Sequence, residues 1–180
     1  MKVTATLTRE AEQTRELRFT EFVERHSRFA FKVAWAVLRN AEDAEDIAQE
    51  TFLKLYKSGA WENIADERAF LARASWRLAL DRLRSRRRFG EQQDLPEPSP
   101  GPEQALAAGN WTAAVHRLID VLPEELRQPL ALSAVDGLSS PEIAVIMGIP
   151  EGTVRTRIMR ARQILKQKLA KYETGIRHDK

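Results

Sequence analysis

Arg155, Arg157, Arg160 and Arg162 stand within eight residues of one another, with Thr156 and Met159 between them. Guanidinium groups pair with phosphates and reach guanine O6 and N7 bidentately, so the chemistry on offer is nucleic-acid binding. Just upstream, Ser140 to Met147 reads as a short helix and Gly148 as a tight turn, a helix-turn-helix whose second helix enters the major groove. At about 100° per residue, Val154, Ile158, Ala161 and Leu165 fall within about 60° and form the buried stripe of that second helix. Arg155, Thr156, Met159, Arg160 and Gln163 take the opposite side, with Arg157 and Arg162 on the flanks. From Gly152 to Tyr172 there are seven Lys or Arg and no acid. A merely solvated helix would mix the signs for i,i+4 pairing, so the one-signed charge points to a polyanion. Arg155 and Arg160 are the candidates for base edges, with Thr156 and Met159 beside them. Arg157, Arg162, Lys166 and Lys168 suit phosphates better.

A second cationic group lies in the segment from about Glu67 to Arg87. Arg73, Arg77 and Arg84 come within about 40° on a helical wheel, with Leu80 beside them and Trp76 about 60° from the nearest. Guanidinium groups next to an aromatic ring suit single-stranded nucleic acid, which offers phosphates to pair and bases to stack. Trp76 either stacks on a base or belongs to the core. Trp61 sits in a polar loop with Glu62 and Asn63, and either meets a base or partner or folds back as a lid.

The third group is acidic. Between Ala41 and Tyr56, Ala44, Ile47, Ala48, Thr51, Phe52 and Leu55 share one helical side, which leaves Asp46, Gln49, Glu50 and Leu53 on the other. An outward leucine among carboxylates fits a protein contact with an apolar anchor and an acidic rim. Ordinary solubilising acids near a helix start are the plainer reading. Asp43, Asp46 and Glu50 also share a side, but a metal site needs a second ligand-bearing helix, and none is evident. The chain has no cysteine, and His26, His116 and His178 are far apart. No catalytic residue, metal ligand or cofactor is expected.

These groups need helices to hold them. The periods run near 3.6 and no segment alternates like a strand, so an all-α fold is expected. Residues 1–88 hold 18 Lys/Arg against 14 Asp/Glu, residues 89–108 hold none against 4, and residues 109–180 hold 11 against 8. The middle stretch carries Pro96, Pro98, Pro100 and Pro102, which favour an extended polyproline spacer. It could reach about 60 Å at ~3.1 Å per residue. The organisation expected is therefore two small helical domains, 1–88 and 109–172, joined by an extended acidic Pro-rich linker at 89–108 and followed by a tail at 173–180. Asn40 reads as a helix N-cap, and Met1–Glu16 as a frayed helix or tail. No apolar run of membrane-spanning length and no charged-then-apolar leader is seen, so a cytoplasmic location without membrane insertion is expected.

With these motifs in order, the chain resembles bacterial sigma factors of the extracytoplasmic-function type over roughly residues 17–172. Asp43-Ala44-Glu45-Asp46-Ile47-Ala48-Gln49-Glu50-Thr51-Phe52 is similar to the family's core-polymerase-binding helix, and Leu78-Ala79-Leu80-Asp81-Arg82-Leu83-Arg84 to its minus-10 region. Gly152-Thr153-Val154-Arg155-Thr156-Arg157 with Arg160-Ala161-Arg162 is similar to its minus-35 recognition helix. The resemblance implies a non-enzymatic transcription initiation factor, with residues 1–88 as sigma region 2 and 109–172 as the helix-turn-helix of region 4. Asp46, Gln49, Glu50 and Leu53 would dock on core RNA polymerase. Trp61, Asn63, Arg73, Trp76, Arg77 and Arg84 would take the single-stranded minus-10 element, the loop Ser58–Asp66 receiving a flipped-out base. Arg155, Thr156, Arg157, Met159, Arg160 and Arg162 would read the duplex minus-35 element, and an anti-sigma factor would be a further partner. The connector would thread toward the polymerase active site as a nucleic-acid mimic. Arg77 departs from the asparagine common in relatives before the Leu-Ala-x-Asp stretch, so the minus-10 preference does not carry over.

Overall fold

The computed structural model describes residues 2–89, 102 and 110–178, and among them seven helices and no strand. Of the expected connector, 89–108, all but Phe89, which ends the third helix, and Pro102 lies outside the described residues. The N-terminal half is a three-helix bundle of α1 (Lys2–Leu38), α2 (Ala41–Ser58) and α3 (Glu67–Phe89). Inward rows at helical spacing build its core: Phe22, Phe29, Val33 and Val37 from α1 meet Ile47, Phe52 and Leu55 from α2 and Leu71, Trp76 and Leu83 from α3.

Between α1 and α2 the chain turns on Arg39, a non-glycine residue held at φ 54°. Asn40 then caps α2, its side chain accepting from the Asp43 N–H at 3.0 Å. The α2 helix stops at Gly59, whose φ of 69° is the left-handed geometry that side chains with a Cβ resist. A single 3-10 turn, Ala60–Asn63, leads from there toward α3.

The C-terminal half comprises α4 (Trp111–Asp120), α5 (Glu124–Ser133), α6 (Ser140–Met147) and α7 (Glu151–His178). Ser139 and Glu142 form a reciprocal capping box at the start of α6, and Pro141 occupies its first turn, where a missing N–H costs nothing. Donation from Ser139 holds the Glu142 carboxyl below its ordinary range. Gly148, at φ 68°, makes the tight turn into α7. Val154, Ile158 and Ala161 are the buried stripe of α7, and Leu165 is half-buried at its continuation.

Two features exceed the sequence reading. Met1–Glu16 reads as a frayed helix or tail, yet α1 is helical from Lys2, and Arg15, Arg18 and Phe19 find partners at the end of α2 and on the 3-10 turn that follows it. The halves also touch directly: α1 packs on α5 and α3 on α6, and their buried residues form one continuous cluster. Cations of the first half meet acids of the second across this seam, with Lys32 on Asp136 at 2.5 Å, Arg39 on Asp120 at 2.6 Å and Arg87 on Glu124. Arg68 donates to the Asp136 carbonyl while its guanidinium lies 4.3 Å from the centre of the Phe29 ring. Arg39 stacks 3.5 Å over Trp35, whose ring meets that of His116 in an edge-to-face arrangement at 5.5 Å between centres. The hydrogen bond from Lys32 holds the Asp136 carboxyl below its usual range.

Candidate nucleic-acid interface

On α7, the stripe that packs inward fixes which side chains can reach a ligand. Arg155, Thr156, Met159, Arg160 and Arg162 are exposed, Met159 with 59% of its surface open. They share the outward side, as the helical wheel requires once Val154 and Ile158 are buried. The acids nearest this face set its resting state. Glu151 holds Arg155 at 2.5 Å across one helical turn, and Glu125 on α5 faces Arg157 at 3.8 Å, leaving Arg157 half-buried. Arg160 and Arg162 show no ion pair among the described residues. Thr156 donates its hydroxyl to the Gly152 carbonyl at 2.8 Å, a local bond that a base edge or phosphate must replace or share. A hollow of about 460 Å³ opens beside the helix, where the hydroxyls of Ser139 and Ser140 and the guanidiniums of Arg155 and Arg162 edge an apolar floor that includes Ile143 and Met159.

On α3, Arg73 and Arg77 are exposed, and Arg84 is exposed with a loose pairing to Asp81 at 3.7 Å. Leu80 is half-buried beside them. The two tryptophans behave differently from the stacking alternative. Trp76 is 3% exposed and Trp61 6%, both within the core cluster. Trp61 is enclosed by Phe19 at 5.1 Å and Phe22 at 6.0 Å between ring centres, with the Arg18 guanidinium at 5.8 Å. A large apolar ring gains about 2–3 kcal/mol from such burial, offset in part by the Trp61 indole N–H, which is buried without a hydrogen-bond partner among the described residues. In this conformation neither ring offers a face to a base, and each instead supports the segment that carries its polar neighbours. Asn63, next in the loop, is exposed.

The α2 face lies on the same half. Asp46, Gln49 and Leu53 are exposed, Leu53 by 57%, and Glu50 is half-buried with Lys54 at 2.8 Å and Arg82 at 4.0 Å. Asp43, which shares a side with Asp46 and Glu50 on periodicity, is buried and gripped by Arg86 at 2.5 Å with Arg82 at 3.8 Å. It therefore does not join Asp46 and Glu50 as a ligand set, and no group of three or more metal-type side chains occurs among the described residues. Beside Leu53 runs an open apolar groove of about 680 Å³ between α1 and α2, lined by Phe19, Val23, Phe31, Ala48 and Phe52. Sequence reasoning missed this groove, because Phe19 and Val23 count as core on periodicity alone and Phe31 falls off the core side of α1. Among the described residues no helix is long and apolar enough to cross a membrane.

Comparison with known proteins adds to this geometry. The model for sigma-70 region 2 matches residues 22–89, and that for region 4 of sigma-70 matches residues 112–165. The chain is 34% identical over 160 residues to the extracytoplasmic-function (ECF) RNA polymerase sigma factor SigE of Mycolicibacterium smegmatis, covering 86% of this chain and 62% of that longer protein. It is 34% identical to the RNA polymerase sigma-H factor of Pseudomonas aeruginosa, covering 79% of this chain and 82% of that one. The ECF sigma-E factor of Escherichia coli K12 is 33% identical over 79% of this chain and 83% of its own length. The fold is similar to that of the sigma factor RpoE of Bartonella quintana, solved with the anti-sigma factor NepR, at a TM-score of 0.63 and 18% identity over 85% of this chain and 97% of that one. It is also similar to CnrH, solved with the cytosolic domain of CnrY, at 0.59 and 23% identity over 86% and 89%.

Proposed function

The chain belongs to the sigma-70 family, in its extracytoplasmic-function group, and from that premise we propose that it binds core RNA polymerase and directs it to promoters. Region 4 reads the minus-35 duplex through α7, with Arg155 and Arg160 at base edges, Thr156 and Met159 beside them, and Arg157 and Arg162 on phosphates. Region 2 takes the unpaired minus-10 strand through Arg73, Arg77 and Arg84 and the loop bearing Asn63, with Trp61 and Trp76 beneath as supports. Asp46, Gln49, Glu50 and Leu53 dock on the polymerase. The factor works in the cytoplasm, catalyses no reaction of its own and needs no cofactor. The anti-sigma factor NepR, solved with the structurally similar RpoE, makes an anti-sigma factor the expected regulator. Residues 1–88, 89–108 and 109–172 serve as region 2, linker and region 4.

The observation that carries this reading is the coexistence, on one chain, of an outward cationic recognition helix and an acid-rimmed leucine beside an apolar groove. An autonomous DNA-binding regulator has use for the first but not the second. Scale adds a mechanical requirement. The longest helix, α1, has 37 residues and measures about 55 Å from end to end at ~1.5 Å per residue. Elements about 25 base pairs apart are separated by roughly 85 Å along the duplex at ~3.4 Å per base pair. The seam of Lys32, Arg39, Arg68 and Arg87 therefore opens when both elements are held, and polymerase supplies the surfaces that keep the halves apart. Tethering two modest contacts on one enzyme then gives avidity that neither contact has alone.

The test is Arg155→Ala in reconstituted holoenzyme. Loss of a bidentate base contact costs about 1–3 kcal/mol at one upstream base pair and relaxes preference there alone. Equal weakening on every upstream sequence would assign Arg155 to a phosphate instead.

A further inference from the structure

The family match begins at residue 22, yet α1 starts twenty residues earlier, and that extension does not hang free. Arg15 reaches across 47 positions to Glu62, its Nε donating to Oε1 at 2.7 Å. Its second arm donates to the Tyr56 carbonyl at 3.2 Å, the same oxygen that accepts from the Gly59 N–H at the end of α2. The guanidinium also lies 4.8 Å from the centre of the Tyr56 ring. One turn on, Phe19 packs against Tyr56 at 4.8 Å and Trp61 at 5.1 Å. Arg15 therefore touches both the end of α2 and the 3-10 turn, with Gly59 between them.

Trp61 anchors that turn from below, buried against Phe19 and Phe22, but its outward polar side has little else to hold it. Its own backbone contributes the Glu62 N–H to Gly59 carbonyl bond at 3.2 Å, and Ser58 accepts from the Ala60 N–H at 3.3 Å. Glu62 and the exposed Asn63 are adjacent on a turn with about three residues per revolution, so fixing one side chain fixes the direction of the next. An ion pair at this exposure adds little to global stability. Its effect falls instead on the polar side of the turn, where Glu62 has no other side-chain partner among the described residues.

We propose that Arg15 is a positioning residue for minus-10 recognition: by clamping Glu62 to the end of α2, it sets the angle at which Asn63 meets the unpaired base. This rests on the reading of Ser58–Asp66 as the loop that takes that base. The first half of α1 is thus a specificity-determining part of region 2, acting through the loop without touching DNA.

The experiment uses full-length protein assembled with core polymerase on promoters that vary one minus-10 base at a time. Its readout is the ratio of open-complex formation on the best and second-best base, which does not depend on how much protein is active. Arg15→Glu and Glu62→Arg should each flatten that ratio about fivefold, and the double exchange should recover it to within about twofold, as expected for a coupled pair. Arg15→Gln should give an intermediate ratio, since it keeps a donor for the Tyr56 carbonyl without the charge. Ratios unchanged in the single variants, or single losses that the double exchange does not recover, would overturn the proposal. Asn63→Ala separates the two levels. If it leaves the ratio untouched, the loop is not the reader and the assignment beneath the proposal fails. If Asn63→Ala flattens the ratio while the Arg15 and Glu62 variants do not, only the clamp fails.

Discussion

Leu53→Asp should weaken binding to core RNA polymerase by about 30-fold or more while leaving the fold intact. The first half of that expectation follows from the chemistry of interface anchors. A central apolar side chain that fills a partner's pocket contributes at least ~2 kcal/mol, and ~1.4 kcal/mol is a factor of ten. Aspartate there removes the anchor and adds a third carboxylate beside Asp46 and Glu50. The second half follows from exposure: Leu53 is 57% open, and surface substitutions shift folding by about ±0.5 kcal/mol. Affinity measured with purified core, alongside urea unfolding of the free factor, checks both at once. Equal affinity for the two proteins would place the polymerase contact elsewhere. The rim should behave differently from the anchor. Asp46→Lys with Glu50→Lys should act mainly through the association rate and its salt dependence, because rim charges steer encounter more than they hold the complex.

Trp76→Ala should destabilise the protein by about 3–5 kcal/mol, the range for deleting a large buried ring. Against a total of about 5–15 kcal/mol for a native protein, this is a major loss. Trp76→Phe should restore most of it. Arg77→Ala, on the same helix but exposed, should do the reverse, with unfolding nearly unchanged and crosslinking to the non-template minus-10 strand reduced. Thermal unfolding and strand crosslinking of the three variants separate support from contact. A Trp76→Ala protein as stable as the parent, yet defective in crosslinking, would return the ring to a stacking role.

What sequence could convey differs sharply between elements. The α7 face was legible because one helix carries both its stripe and its charges: burying Val154, Ile158 and Ala161 dictates that Arg155, Arg160 and Arg162 point outward. The α2 face was legible for the same reason, and so was the Asn40 cap, which is a local bond. The tryptophans were not. A wheel places Trp76 about 60° from the arginines, a margin at which packing decides. For Trp61 the deciding partners are Phe19 and Phe22, some forty residues away on another helix. Arg15 was hidden by its setting, since mixed charge at a chain start looks like a solvated tail, and Glu62 answers it only across the folded bundle. The seam between halves was hidden too. Arg39 with Asp120 and Lys32 with Asp136 pair residues that sequence assigns to separate domains. Nothing in the periodicity of either half announces the other.

Sequencing of RNA 5′ ends made on genomic DNA by core polymerase, with and without this protein, meets the central claim most directly. A factor that holds two promoter elements should concentrate transcription at discrete starts sharing two short upstream motifs. Arg155→Ala should blur only the upstream motif, and Leu53→Asp should abolish the enrichment. Start sites indistinguishable from those of core polymerase alone would contradict the account.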